Sequence, residues 1–187
     1  MATANTKRAS DAHPLDLYNT EAWATQLAIN AGVFDQERNR LMWDPCDGLG
    51  DLSNMLVANG FNVRVSDKYD HANRGITLLD FLGPHDQQAD CYIVMNPPFK
   101  QTAEFIDRAL EVADRVYMFN RTSVLETVTR AERFVSKQWP LKYFYQYAPR
   151  VGCSKGEDRE PQAKAVMYAW YVFDKSYTGE PILRWLY

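Results

Sequence analysis

The stretch Cys91-Tyr92-Ile93-Val94-Met95-Asn96-Pro97-Pro98-Phe99 holds the clearest capacity for chemistry in this chain. An apolar run of strand type ends there in Asn-Pro-Pro-Phe. Each proline fixes its own φ, lacks an N–H and pushes the residue before it into an extended conformation, so Asn96 and Pro97 are kept out of helix. The result is a stiff acceptor site: one amide side chain and neighbouring backbone carbonyls beside an aromatic ring. The exocyclic amino nitrogen of adenine is a poor nucleophile because its lone pair is delocalised into the ring. If the Asn96 side-chain oxygen and the Pro97 carbonyl each accept one of its hydrogens, the nitrogen is drawn towards tetrahedral geometry and the lone pair is freed. Fixed dipoles act most where charge develops in the transition state. Phe99 could stack on the base, a contact that reads little sequence. A sulfonium methyl donor would leave as a neutral thioether, so the first step needs no strong general base. A Pro-Pro pair after a buried strand also serves as a plain stiff loop, and the tetrapeptide alone leaves both readings open.

The elements that must position this loop alternate strand and helix. Residues 21–31 predict a helix with Thr20 as N-cap, Trp23, Leu27 and Ala31 at every fourth position, and Gly32 beyond its end. Its N-terminus could take a carboxylate, or Trp23 is a core anchor. Residues 40–60 read as a short strand, a turn holding Gly48 and Gly50, and a helix through Leu52, Met55, Leu56 and Val57, the nucleotide-cradling unit of open α/β sheets. Glycine suits that turn because the backbone takes unusual dihedrals and lets a ligand approach. The strand over 61–65 runs into Ser66-Asp67, where a carboxylate is placed for two ribose hydroxyls or for a helix cap. A third short strand, 76–79, is closed by Asp80-Phe81-Leu82; Asp80 could accept from a cofactor adenine amino group or be a turn aspartate.

Residues 90–99 form the fourth strand and the loop, 101–113 a helix, and 115–119 the fifth strand, at spacings that suit parallel crossovers. Ser123 is expected to cap a helix running to about Lys137 that carries Arg130, Arg133 and Lys137 on one face, a phosphate track or a solvent face. Pro140 ends it. Residues 143–147 and 165–173 read as two long strands. The polar connector between them, 149–164, contains Arg150, Lys155, Arg159 and Lys164 and suits either a flexible nucleic-acid strand or a plain exposed loop.

With 187 residues and 46% hydrophobic content the chain can bury one full core. Its apolar runs are strand-length, which excludes a membrane-spanning helix. Residues 1–13 are polar and read as a flexible tail rather than a signal peptide. Cys46, Cys91 and Cys153 are too scattered for a zinc cluster or disulfide framework, and His13, His71 and His85 show no ligand spacing, so no metal is expected and the cytoplasm is the natural compartment. The net charge of −3 divides unevenly: residues 1–120 carry 10 Lys+Arg and 17 Asp+Glu, residues 121–164 carry 9 and 5, and residues 165–187 carry 2 and 2. A positive segment directly downstream of the loop suits polyanion binding, which follows local field rather than total charge.

Together these motifs resemble the S-adenosylmethionine-dependent amino-methyltransferases, in particular the adenine-N6 group that carries Asn-Pro-Pro-Phe, and most of all its small free-standing members often encoded by phages and prophages. The resemblance rests on Tyr18 and Thr20 with Trp23, on Asp44-Pro45-Cys46-Asp47-Gly48-Leu49-Gly50, on Asp67, on Asp80-Phe81 and on Asn96-Pro97-Pro98-Phe99. It extends through Phe119-Asn120-Arg121-Thr122-Ser123-Val124-Leu125-Glu126 and Ala169-Trp170-Tyr171-Val172-Phe173, and covers about 15–187.

The resemblance implies a three-layer Rossmann-like α/β fold whose mostly parallel sheet has seven strands, the last antiparallel, in a single domain over 14–187. It implies S-adenosylmethionine, with S-adenosylhomocysteine as product, held by Tyr18, Thr20, Trp23, Asp44, Pro45, Cys46, Gly48, Gly50, Asp67, Asp80, Phe81 and Asn96. Catalysis would fall to Asn96, Pro97, Pro98 and Phe99, and contact with the substrate to Lys100, Arg121, Arg130, Arg133, Arg150 and Lys155. The expected partner is DNA, in the host cytoplasm if the chain is phage-encoded. RNA adenine, a guanine or glutamine amide-like nitrogen, or an idle fold that binds a partner are the other readings. Two features depart from the family: a small residue is usual where Asp47 stands, and there is no room for a separate target-recognition domain, a task left to 121–164 or a partner subunit.

Overall fold

In the computed structural model the described residues are 16–34, 38–85, 90–156, 160–161 and 166–187. The tail expected over 1–13 lies outside them. Eleven strands and four helices follow in the order β1 (Tyr18–Thr20), α1 (Ala22–Asn30), β2 (Leu41–Asp44), α2 (Asp51–Ala58), β3 (Asn62–Asp67), β4 (Thr77–Leu78), β5 (Tyr92–Met95), α3 (Thr102–Val112), β6 (Arg115–Arg121), α4 (Val128–Val135), β7 (Leu141–Tyr147), β8 (Cys153–Lys155), β9 (Glu160–Pro161), β10 (Tyr168–Asp174) and β11 (Ile182–Leu186). Eight strands make one sheet in the order β11-β7-β10-β6-β5-β2-β3-β4. Every neighbouring pair is parallel except those made by β10, which slots antiparallel between β6 and β7.

The sheet is buried on both faces because its strands send alternate residues to two separate cores. Met42, Val94, Tyr117, Phe119 and Trp170 pack with α1 and α2, whereas Trp43, Ile93, Met95, Met118 and Tyr171 pack with α3 and α4. A period of two with apolar residues at both phases is what a sheet covered on both sides requires, and three layers result. Tyr147 ties two layers together: its hydroxyl donates to the Ala24 carbonyl at 2.7 Å and accepts from Trp170 Nε1 at 2.8 Å.

The sheet carries one strand beyond the seven expected. The antiparallel strand is the seventh of that set, β10, and β11 then returns to pair in parallel with β7 at the edge. Its alternation is half-exposed, with Leu183 and Trp185 open to solvent and Leu186 buried, a pattern too short and too wet to stand out by hydropathy alone. Two further expectations are corrected. Thr20 does not cap α1; Glu21 occupies that position without a side-chain cap, and Thr20 ends β1. The single helix expected from Ser123 to Lys137 is broken: a 3₁₀ turn, Thr122–Leu125, stops at Thr127, whose φ of 80° cannot continue a helix, and Lys137 at φ 61° lies past the end of α4.

A second sheet, β1-β8-β9, stands apart from the large one. β1 pairs antiparallel with β8, Thr20 opposite Cys153, and the Asn19 amide donates to the Gly156 carbonyl at 2.9 Å. This brings the start of the described chain and the connector after β7 together.

Asp174, at the end of β10, gathers Arg115 at 2.8 Å, Lys142 at 3.0 Å and the Ser176 hydroxyl at 2.6 Å. Burial alone would raise its carboxyl, but the Ser176, Lys142 and Arg115 contacts outweigh burial and lower it from 3.8 to about 2. A depressed carboxyl stabilises the fold above its unfolded value and loses that stabilisation as pH falls through its folded value. Urea denaturation across acid pH should therefore show stability falling between 3.8 and about 2; Asp174→Asn should be less stable at neutral pH and flatter over that window.

Candidate active site

The parallel strands β2, β3 and β5 end in Asp44, Asp67 and Met95-Asn96, all at the same edge of the sheet. The chain runs outward from β2 to β3 and β4, then restarts beside β2 with β5 and proceeds to β6, so the order reverses between β2 and β5. Ligands of open α/β sheets bind at such a reversal, beyond the carboxyl ends of the strands. A cleft lies there, lined among others by Tyr18, Thr20, Asp44, Gly48, Asp67 and Asn96.

Asn96 is held by β1. Its Nδ2 donates to the Tyr18 carbonyl at 2.9 Å and to the Thr20 hydroxyl at 3.1 Å. A carbonyl can only accept, so the amide cannot be turned round, and Oδ1 is left facing away from β1. That oxygen is buried and accepts no hydrogen bond. Buried polar atoms are nearly always paired, and an unpaired one costs about 1–3 kcal/mol; an acceptor kept bare at a cleft is an acceptor kept ready.

The loop after β2 is shaped by two glycines. Gly48 (φ 58°) donates its N–H to Asp67 Oδ2 at 2.9 Å, and Leu17 crowds the position its Cβ would take. Gly50 (φ 83°) stands at the N-cap of α2, where a Cβ would fall inside the Arg74 guanidinium. That guanidinium pairs with Asp47, whose carboxylate is fully buried and also accepts from the Ser53 hydroxyl. The large residue at a usually small position is thus folded into the protein and neutralised by Arg74.

Asp16, Asp44, Asp47, Asp51, Asp67 and Asp80 line the cleft; Lys68 and His71 bring the only cationic or potentially cationic side chains to its lining among the described residues. Burial raises the Asp44 carboxyl well above its ordinary value, and the nearby Asp47 and Asp67 charges raise it further. Lys68 donates to Asp80 at 2.8 Å and holds that carboxyl below its ordinary value. A phosphate-bearing dinucleotide at this helix N-terminus would meet the Asp51 carboxylate. A cationic ligand would relieve the repulsion among Asp44, Asp47 and Asp67 instead.

Most of the residues read from sequence meet at this cleft: Tyr18, Thr20, Asp44, Pro45, Cys46, Gly48, Asp67, Asp80, Phe81, Asn96 and Pro98 all line it. Trp23 and Gly50 do not, nor do Pro97 and Phe99. Trp23 is 39% exposed and binds Glu21 Oε2 through its indole N–H at 2.7 Å, while the same carboxylate oxygen accepts the Gly152 N–H at 2.9 Å; this pair fastens the connector. Gly50 shapes the loop from behind. Phe81 faces the cleft but packs edge-on against Trp43, at 5.4 Å between ring centres.

The basic residues divide similarly. Arg133 pairs with Asp107 at 2.6 Å and covers Trp139, Arg130 donates to the Ser123 carbonyl at 3.2 Å, and Lys137 donates to the Gly179 carbonyl at 2.6 Å. None of the three lines the cleft, so the structure does not bring the expected basic face of α4 to it. Lys100 sits in the 3₁₀ turn after Pro98, its backbone N–H bound by Asp16 Oδ2 at 2.9 Å and its side chain exposed. Arg121 stands at the tip of β6 with its guanidinium 3.9 Å from the Phe99 ring centre. Arg150 is exposed, and the side chain of Lys155 lies outside what is described. Sequence reasoning missed Asp16, whose φ of 54° lets it reach Lys100, and Tyr69 and His71, for which only their closeness to Asp67 was a signal.

No family model matches the sequence, and no curated protein does. Solved structures do. A protein from Pyrococcus horikoshii proposed to be an RNA methyltransferase superposes with a TM-score of 0.62 at 16% identity, over 93% of this chain and 98% of its own. A proposed class I S-adenosylmethionine-dependent methyltransferase from Listeria monocytogenes gives 0.64 at 13% identity, over 96% and 69%. The methyltransferase subunit of a type I restriction-modification system from Streptococcus thermophilus gives 0.62 at 10%, over 90% and 47%. At these identities the likeness is one of fold: a Rossmann-like methyltransferase sheet.

Gly50→Ala should cost roughly 2–4 kcal/mol in urea denaturation, because it strains a left-handed residue and drives Arg74 off a buried carboxylate. In an Arg74→Ala background the same change should cost only about 1–2 kcal/mol, the backbone part alone.

Proposed function

We propose that this chain is an S-adenosylmethionine-dependent methyltransferase that modifies the exocyclic N6 amino group of adenine in nucleic acid, DNA foremost. The observation that carries the reading is the bare Asn96 Oδ1, held in place by two donations from its own Nδ2. The carboxylate-lined cleft beside it supports a cationic cofactor.

Asp67 would hold the cofactor ribose. Its two oxygens already accept the N–H groups of Gly48 and Tyr69, at 2.9 and 3.0 Å, which fixes the carboxylate while leaving further lone pairs for hydroxyls. Asp44, with Asp47 behind it, favours the positive end of the ligand. When bound, S-adenosylmethionine supplies a methyl group on a sulfonium that departs as a neutral thioether. Asn96 Oδ1 and the Pro97 carbonyl accept the two hydrogens of the target amino group and localise its lone pair on nitrogen. Transfer of that methyl to the amino nitrogen would break the donor S–C bond as the N–C bond formed, and the extra proton on nitrogen would pass to water. Because these acceptors are fixed before the substrate arrives, little reorganisation accompanies the charge that develops.

DNA is favoured by the residues quoted from the adenine-N6 group and by the resemblance to a restriction-modification subunit. The Pyrococcus horikoshii structure, matched over nearly its whole length, favours RNA as the second reading. A base within a duplex must be flipped out to reach Asn96, at a cost of about a few kcal/mol, so single-stranded or mismatched adenine should be the better substrate.

Transfer of tritiated methyl to adenine-containing DNA, with RNA and protein as parallel acceptors, tests the substrate; label confined to RNA or protein would overturn DNA. Asn96→Ala should lower turnover by about 10²–10³-fold with cofactor affinity nearly unchanged. Asn96→Asp should fail as well, since a carboxylate cannot donate to Tyr18 and Thr20. Because a cation binds best to an ionised Asp44, whose carboxyl is raised by burial and its neighbours, affinity for the positively charged cofactor should fall with decreasing pH more steeply than affinity for the neutral-sulfur product, as measured by calorimetry.

A further inference from the structure

Asn96 and Pro98 line the cleft described above, whereas neither Phe99 nor Arg121 does. If the cofactor takes the cleft, Phe99, outside its lining, is the ring on which the target base would stack. That place is already taken. The Arg121 guanidinium lies 3.9 Å from the Phe99 ring centre and 5.8 Å from that of Tyr18. With Phe99 and Tyr18 only 5.0 Å apart, Tyr18 stands beside the Phe99 ring and not across it from Arg121, where the separation would approach the sum of the other two distances.

Arg121 is held at its backbone, and its guanidinium is shared between the Phe99 ring and a hydrogen bond with the Tyr168 side chain. Its backbone N–H donates to Asn120 Oδ1 at 2.8 Å, its carbonyl accepts the Tyr171 hydroxyl at 2.8 Å, and the residue pairs with Tyr168 across the sheet. The guanidinium, by contrast, pairs with no carboxylate among the described residues, and its Nε is buried without an acceptor. Arginines elsewhere in the fold are paired with carboxylates: Arg74 with Asp47, Arg115 with Asp174, Arg133 with Asp107. A planar cation on a ring face is a weak, readily exchanged contact, and a nucleobase stacks on such a face at least as well.

We infer that Arg121 is a placeholder for the target base: it covers Phe99 until a nucleic-acid strand offers a phosphate, then leaves the ring to bind that phosphate as the base takes its place. This rests on the adenine-methylating reading of Asn96 and deepens it by naming the substrate class, a base carried on a phosphodiester strand. The exchange is favourable only if both halves occur together. A free nucleoside can take the ring but gives the displaced guanidinium nothing to bind, whereas a strand supplies an anion that matches its fork of donors. Arg121 thereby selects polymer over nucleoside without reading sequence.

The test compares Arg121→Ala and Arg121→Lys with the parent protein on a short adenine-containing oligonucleotide and on deoxyadenosine, with thermal melting and S-adenosylhomocysteine affinity as controls for folding. For Arg121→Ala the oligonucleotide KM should rise about tenfold and the slope of log affinity against log salt should shrink by about one phosphate's share, while the deoxyadenosine KM stays level or falls. Arg121→Lys, which keeps the charge and loses the plane, should restore most of the salt slope. Equal losses on both substrates, an unaltered salt slope, or a bound-oligonucleotide structure with Arg121 still on Phe99 would each overturn the placeholder. Oligonucleotide binding by fluorescence anisotropy makes the same comparison without turnover. Salt-dependent binding lost in Arg121→Ala alongside an absence of methyl transfer would sink the methylation reading alone, and normal transfer with an unaltered slope would sink the placeholder alone.

Discussion

The amide of Asn96 does two things at once, and the rest of the site is arranged around that division. Its nitrogen is used up on the Tyr18 carbonyl and the Thr20 hydroxyl, which fixes the rotamer and prevents the flip that would hide the oxygen. Its oxygen is left without a donor. A free asparagine in a loop would turn to satisfy both ends. Here Pro97 and Pro98 deny the backbone that freedom, and β1, itself paired to β8, supplies acceptors that do not move. The stored cost of one unpaired carbonyl is small beside the stability of a domain, and the fold absorbs it.

Charge is divided around that amide. In the cleft carboxylates crowd together, with Asp44 raised by its own burial and by its neighbours and Asp47 neutralised by Arg74. Outside the cleft lining Arg121 lies on Phe99 and Lys100 stands in the following turn, where Asp16 reaches its backbone N–H. A positive ligand and a polyanion can therefore both approach one strand tip, each drawn by the local field. The overall charge of −3 conceals this division.

Much of this was legible in the sequence, and the reasons are physical. Asn96-Pro97-Pro98-Phe99, the glycine turn and Asp67 are local: each is a residue type whose backbone or side-chain demands are met within a few positions, at the end of an apolar run. The alternation of strand and helix followed from the same runs. What stayed hidden depends on partners far along the chain. Thr20 has the composition of a helix cap, yet its hydroxyl is claimed by Asn96, 76 positions away. Arg133 sits at a spacing that suits an exposed basic face, but Asp107 and Trp139 draw it inward. The break at Thr127 leaves no glycine or proline to announce it, and the partner of Asp47, Arg74, lies 27 positions further along the chain.

The pairing of β1 with β8 has a consequence for how the molecule comes into being. Residues 18–20 meet 153–155, and Asn19 reaches Gly156 across 137 positions, so the clamp on Asn96 gains its outer support only when more than four-fifths of the chain has been made. Closing so long a loop is entropically slow relative to the local turns around β2 and β5. The residues of the carboxylate cleft and of the Pro-Pro loop are thus all synthesised before the strand that braces β1. The clamp on Asn96 waits on the strand that brings the connector home.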